Sequence, residues 1–159
     1  MDDLPAARIA VVAGASGVVI QDLFAALAAR QSSALRIAGV VAENHGLADR
    51  RCSAGYLRRI GHGEKFSMFE DLGPGSTACH LEAEGVARAA EAVRQDMAAG
   101  CDLVLLSKFG KLEAAGRGLT EAFTAVLATD RPLLTSVPPA FAAAWTALAA
   151  PLFDIFPAE

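Results

Sequence analysis

The sequence predicts an α/β fold: a mostly parallel sheet with helices on both faces and a β-hairpin inserted at about residues 52–70. Three observations carry it. Short apolar runs rich in β-branched residues and leucine stand at 8–13, 36–42, 102–107 and 132–137. Between them lie stretches whose apolar residues recur at helical spacing. The first and last of those runs end in glycine or proline, at Gly14 and at Pro138-Pro139. Strands and helices alternating in this way give a parallel sheet, because each return to a parallel neighbour needs a crossover.

The elements follow in order. Residues 8–13 read as a buried strand, with residues 14–17 as the turn that leaves it. Residues 21–30 read as a helix with Leu23, Phe24, Leu27 and Ala28 on one face. A second strand covers 36–42, and 43–51 is polar, with turn residues Asn44 and Gly46. Residues 52–60 and 65–70, separated by Gly61-His62-Gly63-Glu64, predict the hairpin. After a loop at 71–76 the clearest helix runs over 82–99. There Val86, Ala90, Val93 and Met97 repeat at spacings of four, three and four, and Gly100 supplies a stop. The strand at 102–107 feeds a loop at 108–118. A helix follows at 119–128, with Leu119, Phe123, Val126 and Leu127 facing inward. After the strand at 132–137, Pro138-Pro139 opens a last helix carrying Phe141, Trp145 and Leu148. Right-handed crossovers put the loops after Ala13, Ala42, Ser107 and Val137 on one edge, the edge where such sheets bind ligands.

At 159 residues the chain suits a single domain, 1–159, with a core of its own. It is 53% hydrophobic and 20% charged, which excludes a disordered chain. A net charge of −4 gives no footprint for nucleic acid or an anionic membrane. No apolar run reaches the length of a membrane span, and the acidic start has no signal-peptide character. Three cysteines argue against a disulfide framework. The expected location is the cytoplasm.

Two loops at the ligand edge carry candidate chemistry. The first is Gly14-Ala15-Ser16-Gly17, between a strand and a helix, the context of a phosphate-binding P-loop. A P-loop needs Gly-x-x-x-x-Gly-Lys-Ser/Thr, with backbone N–H groups and a lysine on phosphate and a hydroxyl on magnesium. Counting from Gly14, Val19 replaces the second glycine, Ile20 the lysine and Gln21 the hydroxyl residue, while Asp22 adds a carboxylate in the first helical turn. The alternative is a plain strand-to-helix turn whose glycines serve backbone geometry.

The second loop, residues 108–118, gathers Lys108, Lys111 and Arg117 among Gly110, Gly116 and Gly118 in an acidic protein. Those cations suit an oxyanion. Glu113 is the candidate catalytic acid, able to pair with a lysine, bind a metal or orient water. A solvated charged loop is the alternative. Asp102 begins its strand and so lies at the opposite edge.

Together, the 14–17 loop, Asp71-Leu72-Gly73-Pro74-Gly75 with Cys79, and the 108–118 segment resemble a bacterial family of short proteins described as domains of unknown function or nucleoside-triphosphatases. Some of its members are encoded beside molybdate-transport genes. The resemblance spans nearly the whole chain and implies a P-loop-like fold. The 108–118 segment is also similar, more distantly, to a Walker B stretch running Asp-Glu-Ile-Gly-Lys-Met-Glu. Gly110, Lys111 and Glu113 match it, while Ser107 and Lys108 replace both acids.

Five of the six Cys and His residues fall at 45–80: His45, Cys52, His62, Cys79 and His80. They would form a soft-metal site only if the hairpin folded over the ligand edge, and no zinc-like spacing supports one. No metal ligand set is therefore assigned. The expected function is binding of a nucleotide or phosphate with little or no hydrolysis, through Gly14, Ala15, Ser16, Gly17, Lys108, Gly110, Lys111 and Arg117. The alternatives are a molybdate, oxyanion or metal-cofactor handling protein, and a non-catalytic module that binds a protein partner or a second copy.

Overall fold

The computed structural model describes residues 8–44, 54–68, 83–149 and 153–157. Strand β1 (Ile9–Ala13) leads through a short turn into α1 (Gly17–Ala28), followed by β2 (Ile37–Asn44). The hairpin is β3 (Ala54–Arg59) and β4 (Lys65–Ser67). Helix α2 (Ala83–Ala99), β5 (Leu103–Leu106), α3 (Lys111–Ala114), α4 (Thr120–Leu127) and β6 (Leu133–Ser136) come next. A 3-10 turn (Pro139–Phe141), α5 (Ala142–Ala149) and β7 (Phe153–Pro157) complete the order.

The strands form one seven-stranded sheet in the order β4-β3-β2-β5-β6-β1-β7. The pairs β2–β5, β5–β6, β6–β1 and β1–β7 are parallel, and the hairpin adds β3 and β4 antiparallel to β2. The fold is thus α/β with helices on both faces and a hairpin, as expected. The faces are unequal, and connectivity explains why. Only β1→α1→β2 crosses the sheet in one direction; the later crossovers run back the other way. With right-handed crossovers, reversing direction moves the helix to the opposite face. Among the described residues, α1 is therefore the helix on one face, with Ile20, Phe24 and Ala28 packed on Val12, Ile37, Val41 and Leu105. Helices α2, α4 and α5 share the other face and the larger core. There Phe109, Phe123 and Trp145 meet edge-on at centroid distances of 5.4–5.7 Å.

Several expectations need correction. Helix α1 starts at Gly17, four residues before the apolar periodicity suggests, because Ser16 caps it by accepting from the Val19 N–H at 3.3 Å. That earlier start makes Ile20, Phe24 and Ala28 the buried stripe, and Leu23 is 48% exposed. Residues 111–114 are helical where a continuous loop was expected. On α5, Trp145 is buried and Leu148 is exposed. Strand β7 has no counterpart in the sequence reading, yet it pairs with the whole of β1 and makes that strand internal. In α2, by contrast, Val86, Ala90, Val93 and Met97 are all buried, as their spacing predicts.

The hairpin extends the sheet instead of folding over the ligand edge. Arg59 makes a two-point ion pair with Asp96 of α2, Nε to Oδ2 at 2.8 Å and Nη2 to Oδ1 at 2.6 Å, and a third contact with Glu64. The hydrogen bond to Asp96 is the main cause of an upward shift in the arginine pKa. Glu43 of β2 holds both Arg58 and Lys65, at 2.7 and 2.8 Å. Because β3 runs antiparallel to β2, the turn at Gly61-His62-Gly63 falls at the amino edge of the parallel strands.

Candidate functional site

The loops leaving β1 and β6, which are neighbouring strands, turn to opposite faces, toward α1 and α5 respectively. Open parallel sheets bind ligands outside the carboxyl ends of their strands, where such crossovers diverge. Three segments leave the sheet at that edge here: Gly14-Ala15-Ser16 after β1, Ser107-Lys108 after β5 and Val137-Pro138 after β6.

The first turn is compact. Gly14 adopts a φ of 86°, a conformation that favours glycine, and turns the chain from the strand into the helix cap within three residues. Gly14, Ser16 and Gly17 are exposed and Ala15 is half-buried. Ser16 already satisfies two helix-terminal donors, Val19 N–H through its hydroxyl and Ile20 N–H through its carbonyl at 3.1 Å. No ligand contact is needed for these. The residue in the P-loop lysine position, Ile20, is 7% exposed and belongs to the core under α1. Gln21, in the hydroxyl position, donates its side-chain amide to the Ser107 carbonyl at 3.0 Å. The same carbonyl accepts the Ser136 hydroxyl at 2.8 Å, and Phe109 N–H returns a bond to the Ser136 carbonyl at 2.8 Å. The ends of β5 and β6 are thus tied to α1 by protein groups alone. The Gln21 side-chain oxygen is buried and has no hydrogen-bond partner among the described residues.

In the second loop the three cations are exposed: Lys108, Lys111 and Arg117. None makes an ion pair among the described residues. Lys108 lies back over Gly110, where an added Cβ would stand 3.1 Å from its Cε. Glu113 is 9% exposed, and its two oxygens accept the N–H groups of Gly110 and Leu119, each at 2.9 Å. Its carboxylate therefore pins both ends of the turn around α3. Burial raises its pKa, opposed by those N–H donors and more weakly by the charge of Lys108. Gly118, at φ +64°, makes room for this group: a Cβ there would meet Glu113 Oε2 at 2.1 Å.

The sheet brings the two candidate loops to one edge, with β6 between their strands and Gln21 bridging them. Asp102 sits at the other edge, as expected, where it accepts the Arg36 N–H at 2.8 Å. That bond, followed by the Arg36 side chain, lowers its pKa. His62 is at the amino edge as well, 3.3 Å from Asp96, so it cannot join a metal site over the ligand loops. His45, Cys52, Cys79, His80 and the 71–75 segment lie outside the described residues. Gln21 and Ser136 were missed as organising residues, since the sequence marks Gln21 only as a lost hydroxyl.

Residues 9–159 match the family described as protein of unknown function (DUF2478). The chain belongs to that family. Over 83 residues it is also 42% identical to the molybdenum import ATP-binding protein ModC 2 of Bradyrhizobium diazoefficiens. That stretch is 52% of this chain but 9% of the relative's length. No solved structure matches the chain. Among the described residues of this family member, no helix is long and apolar enough to cross a membrane.

Proposed function

We propose that this protein binds a nucleotide or another small phosphate-like anion at the carboxyl edge of its sheet, with little or no hydrolysis. One observation carries the reading: the turn into α1 and the cationic loop after β5 leave the sheet at the same carboxyl edge, where the crossovers diverge. The N–H groups of Gly17 and Val18 supply donors at the start of a helix, and Lys108, exposed in the loop after β5 at the same edge, supplies a mobile charge. The similarity to an ATP-binding protein supports a nucleotide, and the molybdenum import in that protein's name supports molybdate as a second candidate of the same anionic class.

The case against hydrolysis rests on the residues themselves. Ile20 packs into the core, and the Gln21 amide is engaged with the Ser107 carbonyl. Strand β5 ends at Leu106 and is followed by Ser107 and Lys108, with no acid, so magnesium would lack the hard oxygen ligands that bridge phosphates.

Titration calorimetry with ATP, inorganic phosphate and molybdate, at fixed salt, tests this reading. Lys108→Ala is expected to weaken whichever anion binds by about 1–3 kcal/mol while the fold is kept. Equal affinity in the variant removes Lys108 from the site, and magnesium-dependent turnover of ATP at ordinary enzyme rates overturns the non-hydrolytic reading.

A further inference from the structure

Among the described residues four large apolar side chains are strongly exposed, and three of them are on α1: Val18 at 65%, Val19 at 47% and Leu23 at 48%. At about 3.6 residues per turn they share one arc of the helix with Asp22 and Ala26, opposite the buried stripe of Ile20, Phe24 and Ala28. Ala26, at the middle of that arc, is exposed too. Such an exposed apolar arc, interrupted only by Asp22, on a helix that is already packed on its sheet is the mark of a contact surface.

The charges on this face indicate what covers it. Asp22 stands within this face, one turn before Ala26, and Arg30, just beyond the last turn, stands one turn after it; both are exposed. Neither makes an ion pair among the described residues. They lie eight positions apart, about 12 Å along the axis, with Ala26 midway between them. A face with that arrangement is complementary to itself turned end for end. We propose that α1 is a two-fold interface between two copies of this chain, the two helices antiparallel and crossing at Ala26. Asp22 of each copy then faces Arg30 of the other, and Leu23 packs beside the crossing. The alanine permits close approach of the two axes, at the short end of the usual 8–10 Å. A two-fold axis uses the same patch twice, which is why opposite charges must flank its centre. A single pair of helices falls below the area of a standard stable interface, so association in the micromolar range or weaker is expected.

This proposal is independent of any ligand at the carboxyl edge. Sedimentation velocity over about 10 μM to 1 mM at low salt tests it on the whole chain. The wild type is expected to shift from monomer to dimer within that range. Leu23→Glu, Asp22→Arg and Arg30→Asp should each weaken the dimer at least tenfold, with unchanged circular dichroism. Mixing the Asp22→Arg and Arg30→Asp chains gives complementary charges at both ends of the interface and should restore a dimer of one copy of each. A wild type that stays monomeric throughout overturns the proposal. So does a dimer indifferent to Leu23→Glu, and one whose charge variants fail to rescue each other overturns the antiparallel arrangement.

Discussion

Gln21 and Ser107 join the two halves of the candidate site: the glutamine side chain donates to the serine carbonyl at 3.0 Å, linking the first helix to the end of β5. The carbonyl has a second donor in Ser136, so each bond alone is partly redundant. Gln21→Ala is expected to cost about 1 kcal/mol, a fall in Tm of roughly 2–4 °C. The double variant Gln21→Ala, Ser136→Ala should cost more than the sum of the two singles, because it leaves the carbonyl with neither side-chain donor. Thermal unfolding of the four proteins in that cycle measures the coupling. Strict additivity would show that the two bonds do not share one acceptor in solution.

Restoring the lysine of a P-loop should fail here. Ile20 is packed beneath α1, so Ile20→Lys would bury an ammonium among aliphatic groups and cost about 2–4 kcal/mol. Urea unfolding and a nucleotide titration of the variant decide the matter. Wild-type stability together with tighter ATP binding would mean that position 20 can face the crevice.

Glu113 gives a signed dependence on pH. Its folded pKa is raised by burial, so its contribution to stability is fully present below the ordinary carboxylate value and is lost as pH rises through the raised folded value. Wild type should therefore lose stability relative to Glu113→Gln as pH is increased from about 4 to 7. Denaturant midpoints of the two proteins across that range are the measurement. A difference that grows in favour of wild type on raising the pH would mean that the two N–H donors outweigh burial.

Gly118 should tolerate no side chain. Gly118→Ala places a methyl against Glu113 Oε2 and forces a positive φ on alanine. A loss of about 2 kcal/mol or more is expected, against about 1 kcal/mol at most for Gly116→Ala, which has a similar φ and open space around it. Equal losses at the two positions would remove the steric argument for the carboxylate cradle.

Much of the sheet was legible because burial on both faces leaves a strong mark: apolar runs such as 102–107 admit few other readings. The spacing in α2 was equally plain, since one of its faces meets water. Strand β7 was not legible. Phe153-Asp154-Ile155-Phe156-Pro157 is short, carries an acid and a proline, and follows an alanine-rich helix whose apolar run masks the break. The start of α1 was hidden because Val18, Val19 and Ile20 are β-branched and favour strands by propensity, whereas the Ser16 cap decides the structure. The burial of Glu113 was not legible either: nothing local in sequence announces that Gly110 and Leu119 will close over it.

The position of β1 also governs when this molecule can finish folding. Its two neighbours, β6 and β7, are made well after it, so β1 is completed only once both have been synthesised. Until then its backbone donors and acceptors stay open to any passing strand, its own or another chain's. Pairings between such distant segments also slow the search for the native state. Strand β1 must therefore be kept from mispairing until β6 and β7 have been made.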